Sequence, residues 1–217
     1  MSDVITPLQL NTIIERFGQE AVLKCQRLTR IAFPGGWFPP SVLMALGLRE
    51  TNLQNICGGA KLVDGQWAQA YTDRGVFQIS DTQPTNAKWL ASVPGCPNGP
   101  DDTANWDPDV KGFNKGKTSA LTAMHCPTFS AAAQYTLAEM KRNRQLAYDA
   151  GVTSPDCLQF IVAAHNAGFE GALTGYREGN VDANTTLGDY SWWTLHYAPQ
   201  IAAWITNHPG WAGGAVA

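Results

Sequence analysis

The chain has 217 residues, a formal net charge of −3, 15% charged residues and 44% hydrophobic residues. This composition supports a sizeable hydrophobic core and excludes a disordered chain, and the lack of any basic run argues against nucleic acid as the main partner. Eight Trp and six Tyr residues suit a sugar-binding groove, although core packing is the first explanation for any single aromatic side chain.

The five cysteines are widely spaced, odd in number and without a CxxC pair, so neither a zinc site nor a dense disulfide framework is indicated. We expect reduced thiols, with a single Cys96–Cys126 bridge as the alternative. Residues 1–10 contain Asp3 and Pro7 and lack the basic start and apolar core of a signal peptide. No run approaches the roughly 18 apolar residues of a membrane span. We therefore expect no metal, no cofactor, no signal peptide and no membrane span.

Two helices are predicted in the first quarter of the chain. Thr6 as N-cap and Pro7 as first helical residue begin a long amphipathic helix that runs to about Arg30, where a Pro-Gly-Gly sequence follows. A second helix begins at Ser41 and ends near Asn52.

The middle of the chain predicts little regular structure. The β-forming side chains of Tyr71 to Ser80 predict a short strand or an extended segment entering a turn. Pro84 to Ala91 predicts one short helix. Residues 92–119 are rich in Pro, Gly, Asn and Asp and predict a long loop inserted into the domain.

The C-terminal part is predicted to be helical again. One helix begins near Thr128, buries a stripe of alanine, leucine and methionine side chains, and stops at Gly151. The next begins at the cap pair Ser154-Pro155 and ends at Gly168, a suitable residue for the C′ position.

The last predicted helix is Tyr190 to Asn207, with Asp189 as its cap and Pro199 as a kink or break. Together these elements predict a mainly α fold, a helical bundle with a small β or extended segment and a substrate groove. We expect a single domain over residues 1–210 and a flexible tail at 211–217.

Glu50 is the strongest candidate functional residue. It shares a predicted helix face with Leu43 and Leu46, so it lies at the C-terminal end of an apolar stripe. Partial burial and the negative end of the helix dipole both favour the protonated carboxylic acid, the form that a general acid needs. The alternative is a solvent-facing Glu50 paired with Arg49 or Arg74.

Three short sequences follow one another along the chain: Glu50-Thr51, Gly75-Val76-Phe77-Gln78-Ile79 and Ala164-His165-Asn166-Ala167-Gly168. Their order resembles the goose-type lysozyme and lytic transglycosylase family of peptidoglycan-cleaving enzymes, which carry Glu-Ser, Gly-Leu-Met-Gln and Ala-Tyr-Asn-Ala-Gly. The segment around Tyr135 resembles the family's intervening helix, and Tyr197 is a looser match to its final tyrosine. The resemblance implies an α+β lysozyme-like fold over residues 42–201.

The resemblance also implies a role for each matching residue. Glu50 would be the catalytic acid, and Thr51 would keep the hydroxyl of the usual serine. The implied substrate-binding residues, some of which would instead hold the Glu50 carboxyl group, are Thr51, Gln78, Asn166, Tyr135 and Tyr197. Taken singly, each has a structural alternative, and His165, which replaces the usual tyrosine, is expected to be a core histidine.

A second carboxylate would separate hydrolysis from transglycosylation. An inverting hydrolase needs one about 6.5–9.5 Å from the acid, whereas a lytic transglycosylase uses the sugar's own 6-hydroxyl group. Goose-type lysozymes place it two residues after the motif glutamine, where this chain has Ser80. Asp73 is the preferred candidate because Gly75 permits a sharp approach. Asp64 and Asp81 are alternatives, although Asp81 on an extended segment would point away from the motif glutamine.

We therefore expect a peptidoglycan-degrading glycosidase, a muramidase that cleaves the β-1,4 bond between N-acetylmuramic acid and N-acetylglucosamine. The alternatives are a lytic transglycosylase and a non-catalytic wall-binding or virion structural domain. A Cys157–His165 nucleophile pair is disfavoured because eight residues on one helix separate them. The expected setting is a monomeric bacteriophage endolysin made in the host cytoplasm, or a lysozyme domain of a phage particle, acting on peptidoglycan glycan strands.

Overall fold

The computed structural model describes residues 4–54, 57–58, 61–63, 66–68, 73–80, 106–107, 126–127, 129–153 and 156–211. The structure is mainly helical, which confirms the predicted fold class at that level. Its α-helices are α1 (Pro7–Phe17), α2 (Gln19–Ala32), α3 (Pro40–Thr51), α4 (Phe129–Asp149), α5 (Asp156–Arg177) and α6 (Tyr190–Asn207). Two 3-10 helices flank the last of them, η1 (Thr186–Gly188) and η2 (Pro209–Trp211).

The strands are short and antiparallel. They are β1 (Cys57–Gly58), β2 (Lys61–Val63), β3 (Gln66–Ala68), β4 (Asp73–Arg74), β5 (Ile79–Ser80), β6 (Trp106–Asp107) and β7 (Cys126–Pro127). β1, β4 and β5 form a three-stranded sheet in that order, and β2–β3 and β6–β7 form two separate pairs.

The chain divides into two compact units. Unit 1 comprises Met1–Arg49 and Leu137–Ala217, and unit 2 comprises Glu50–Thr136. The single domain over residues 1–210 stays a prediction. Most of the predicted loop at 92–119 lies outside the described residues, as does the short helix predicted over Pro84 to Ala91.

The long first helix that the periodicity predicted is two helices. Thr6 caps α1 with a capping box, as its predicted role requires. Gly18 then adopts a φ of 96° and donates its backbone N–H to the Ile14 carbonyl at 3.1 Å, which closes α1 before α2 begins. A positive φ costs glycine little, so the break falls at this residue although the apolar spacing continues across it.

Helix α3 is buried on all sides. Every residue from Val42 to Leu48 is buried, so the predicted apolar stripe extends around the whole helix. A short helix that is apolar all round belongs inside a core, where its side chains are removed from water on every face.

Helices α4 and α5 confirm the two helices predicted in this part of the chain, while the predicted cap pair Ser154-Pro155 lies outside the described residues. Ala133, Met140 and Ala147 are fully buried along α4, and Gly151 has a φ of 80° just beyond its end. Gly168 has a φ of 72° and a ψ of 163°, so it breaks α5 at the predicted position, and a second helical segment continues to Arg177.

The start of α6 is held by a residue that the sequence did not single out. Asp182 is 3% exposed and accepts hydrogen bonds from the backbone N–H groups of Ser191 and Trp192 at 2.8 and 3.0 Å and from the Ser191 hydroxyl at 2.7 Å. Asp189 occupies the N-cap position without making a side-chain cap, so its predicted capping role is wrong. The helix continues through Pro199, so of the predicted kink or break the break does not occur.

Within unit 1, the C-terminal elements bind the N-terminal helices. The Tyr197 hydroxyl accepts the Ile5 backbone N–H at 2.6 Å, and the Trp204 indole N–H donates to Asn11 Oδ1 at 2.6 Å. Gln26 Nε2 donates to the Trp211 carbonyl at 2.7 Å. Trp211 is therefore packed, while 212–217 of the predicted tail lie outside the described residues.

Among the helices that the structure describes, none combines the length and the hydropathy that crossing a membrane requires.

Replacing Asp182 with Ala should lower the free energy of unfolding of this chain by about 2–3 kcal/mol, because several buried donors at the start of α6 lose their acceptor. Urea denaturation followed by circular dichroism measures the change. Asp149→Ala is the matched control: Asp149 is exposed and accepts one bond from Gln145, so a change within about 0.5 kcal/mol is expected. Equal effects of the two substitutions would contradict the assigned role of Asp182.

Candidate active site

The end of α3 is fixed in unit 2 by Thr51. Its side chain is 5% exposed, and its Oγ1 donates to the Val76 carbonyl at 2.9 Å and accepts the Gln54 N–H at 3.1 Å. Glu50 lies one residue earlier, in the last turn of α3, and is half-buried. The first two family-like motifs, 25 residues apart, are thus joined by a buried hydrogen bond.

The second motif forms a turn. Residues 75–78 connect β4 to β5, so a short strand enters a turn here, as the sequence predicts, and the motif itself lies in the turn. Gln78 has a φ of 48°, and both its backbone N–H and its Nε2 donate to the Gly75 carbonyl, at 3.1 and 2.8 Å. Val76 and Phe77 are buried, which explains why this motif needs apolar residues between its glycine and its glutamine.

Asp73 lies on the strand that enters this turn. Its backbone is paired with Ser80 across the β4–β5 ladder and with Gly58 of β1 on the other side. Asp64 and Asp81 lie outside the described residues. Asp81 was expected to point away from Gln78 only if the backbone there is extended. The positive φ of Gln78 shows that it is not.

Tyr135 is the last of the five candidates in unit 2. It lies on α4 and is 2% exposed. Earlier on the same helix, the Phe129 ring packs against Phe77 of the turn with 5.9 Å between ring centroids. Tyr135 is thus a buried residue on the helix that supports the second motif.

The other two candidates, Asn166 and Tyr197, belong to unit 1. Asn166 Oδ1 accepts the Thr186 N–H at 2.7 Å and so holds the start of η1. Tyr197 is 2% exposed, and its hydroxyl accepts the N–H of Ile5. These contacts give both residues a structural role within their own unit.

Sequence reasoning missed the partner of His165. Its Nδ1 lies 2.6 Å from Glu139 Oε2, and the two side chains are 6% and 26% exposed. His165 is therefore a satisfied, nearly buried residue of unit 1, as expected for a core histidine. The partner comes from another helix 26 positions away, and no local pattern in the sequence indicates it.

Arg49, the residue before Glu50, was also missed as an anchor. Its guanidinium group lies 2.9 Å from Asp189 Oδ1 and 5.1 Å from the centroid of the Trp193 ring. Both side chains of this ion pair are mostly buried, at 11% and 17% exposure, so the pair ties Arg49 to the start of α6 within unit 1.

The described cysteine thiols do not suit nucleophilic chemistry. Cys25 and Cys157 are buried, and this burial raises the pKa of both thiols, whereas a reactive cysteine needs a lowered pKa. In the part of the chain that the structure describes, no cluster of three or more His, Cys, Asp or Glu side chains is placed to hold a metal ion.

Comparison of the chain with protein-family models, with curated proteins and with solved structures finds no match. The assignment of the site therefore depends on the ordered motifs and on the geometry described above.

Thr51→Val should lower the free energy of unfolding by about 1–3 kcal/mol, because the buried Val76 carbonyl and the Gln54 N–H both lose a partner. Thr51→Ser keeps the hydroxyl group, so its free energy of unfolding should fall less than that of the valine variant. Chemical denaturation monitored by tryptophan fluorescence compares the two variants. If the valine variant were as stable as the wild type, the hydroxyl would not be what joins the two motifs.

Proposed function

We propose that this chain is a lysozyme-type glycosidase that cleaves the β-1,4 bond between N-acetylmuramic acid and N-acetylglucosamine in peptidoglycan, with Glu50 as general acid. The supporting observation is the hydrogen bond from Thr51 to the Val76 carbonyl. It joins the Glu-Thr pair at the end of a buried helix to the Gly-Val-Phe-Gln turn, the two motifs that would form one part of the substrate groove of an α+β lysozyme-like fold.

The position of Glu50 suits acid catalysis. It is half-buried and lies in the last turn of α3, where the carbonyl ends of the helix carry partial negative charge. Both conditions oppose ionisation of a carboxyl group. In the proposed reaction the Glu50 carboxylic acid donates its proton to the glycosidic oxygen while positive charge develops on the muramic acid ring.

Gln78 is the proposed groove residue. A non-glycine residue with positive φ is strained, and such residues are concentrated at ligand-binding and active sites. Its side chain is half-buried beside the same turn that Thr51 holds. We assign to the Gln78 amide the binding of a sugar polar group in the groove.

Asp73 is the proposed second carboxylate, which orients the attacking water. The register pairs it with position 80, where the resembled goose-type lysozymes carry their carboxylate and this chain has serine. Asp73 therefore stands at the same position of the backbone ladder as that serine, and we assign to it the role of the carboxylate that the serine cannot fill. This relation favours a hydrolase over a lytic transglycosylase, which remains the second candidate.

The proposed setting is a bacteriophage endolysin or a virion lysozyme domain acting as a monomer on glycan strands. A non-catalytic wall-binding or virion structural domain with the same fold is the candidate from another class. The enzyme is preferred because Glu50, a half-buried residue in the last turn of α3, precedes the Thr51 hydroxyl that bonds the Gly-Val-Phe-Gln turn.

Glu50→Gln should reduce the release of soluble fragments from purified peptidoglycan by about 10²-fold or more, since the amide cannot donate the required proton. Turbidity clearing and chromatography of the released fragments measure the rate. The matched control is Glu170→Gln, an exposed glutamate on α5, which should keep wild-type activity. Unchanged clearing by the Glu50 variant would favour the non-catalytic alternative.

Asp73→Asn should slow hydrolysis by about 10²-fold, because the attacking water loses its base. Mass spectrometry of muropeptides identifies the reaction: the wild type should give free reducing ends. Asp149→Asn serves as the control for loss of one acidic group. Release of 1,6-anhydro ends by the wild type would overturn the hydrolase assignment in favour of the transglycosylase.

A further inference from the structure

A groove of about 610 Å³ opens on the surface of unit 1, between the end of α2 and the C-terminal half of α4. Its volume is in the range of small-molecule sites. The lining residues are Ala32, Phe33, Pro34, Gly35, Trp37, Lys141, Arg144, Gln145 and Tyr148. Two of these are cationic, three are aromatic and none is acidic.

Arg144 is held in place by two of these rings. Its guanidinium carbon lies 4.1 Å from the centroid of Trp37 and 5.4 Å from that of Tyr148, and its Nη2 donates to the Tyr148 hydroxyl at 3.3 Å. Stacking of this kind orients the planar guanidinium group before any ligand arrives. The entropy lost on binding is correspondingly small.

Arg144 also keeps unused hydrogen-bonding capacity. Its Nε is buried and has no hydrogen-bond partner, and none of the ion pairs among the described residues involves Arg144 or Lys141. Buried donors are nearly always paired in folded proteins. A guanidinium group that is oriented, partly desolvated and without a carboxylate is suited to a bidentate anion.

The apolar part of the groove suits a sugar ring. Phe33 packs on Phe38 with 5.2 Å between ring centroids, so this wall is rigid, and the Tyr148 side chain is 45% exposed at the other wall. Lys141 Nζ lies 5.8 Å from the Phe33 centroid, which places a second cation at the same opening. Aromatic faces pack well against the C–H surface of a sugar ring, and the two cations are placed to bind an anionic substituent on that ring.

We propose that this groove binds an anionic saccharide, with Arg144 and Lys141 on its carboxylate or phosphate group and Phe33, Trp37 and Tyr148 around its ring. The site does not rest on the glycosidase proposal, because its residues all lie in unit 1 and its test measures binding alone. Carboxylate and phosphate groups of a glycan both offer anionic oxygen atoms to Arg144 and Lys141, so both kinds of glycan fit the proposed site.

Three sugars with the same ring test the inference: N-acetylglucosamine, its 6-phosphate, and N-acetylmuramic acid. Titrations of the full chain followed by calorimetry and by NMR of the Trp indole N–H signals should show at least one anionic sugar binding about tenfold or more tightly than the neutral one. The preference should weaken in high salt. Binding of the phosphate alone, or of the carboxylate alone, identifies the source of the anion.

Arg144→Gln should abolish the preference for the anionic sugars, and Lys141→Gln should reduce it several-fold. Arg27→Gln is the matched control, because Arg27 is exposed on α2 and does not line the groove. If Arg144→Gln failed to fold, the Lys141→Gln variant and the salt dependence of binding by the wild type would test the proposal in its place. Equal affinity for all three sugars, no binding of either anion, or an unchanged preference in the folded variants would each overturn the proposal.

Discussion

Burial of α3 on every side is the constraint that the candidate site depends on. From Val42 to Leu48 the helix offers no polar side chain to water, so its functional groups can only come at its end. There, Arg49 pairs with Asp189 and Thr51 bonds the Val76 carbonyl. Glu50 directly precedes Thr51, so within unit 2 this buried hydrogen bond holds the backbone next to the proposed acid.

Much of the helical fold follows from local patterns. Local patterns place α4 and α6 within a residue or two of their observed bounds, because each of these helices has a run of buried residues along its length. The same spacing misleads at Gly18, where one residue with positive φ divides a continuous pattern. It also understates α3, since a stripe of apolar residues cannot show that the opposite face is buried as well.

The parts of the candidate site that follow one another as sequence motifs can be predicted. The contacts that tertiary packing makes between distant residues cannot. The motif order indicates that Thr51 and the Gly75–Gln78 turn belong together, and their hydrogen bond agrees with it. Nothing local indicates the pairing of Glu139 with His165, or the capping of α6 by Asp182, because such partners are chosen by tertiary packing. The β-forming residues Val76 and Phe77 do not show by themselves where the short strand ends, because in the structure they are buried within the turn.

The bonds between the two ends of unit 1 also set the order in which the chain can fold. Ile5, Asn11 and Gln26 find their partners 185–193 positions later. At a synthesis rate of about 5–20 residues per second, roughly ten to forty seconds pass between the synthesis of these residues and that of their hydrogen-bond partners. During that interval α1 and α2 are exposed on the ribosome without their final packing, so the C-terminal helix, although last to appear, completes the first part of the protein.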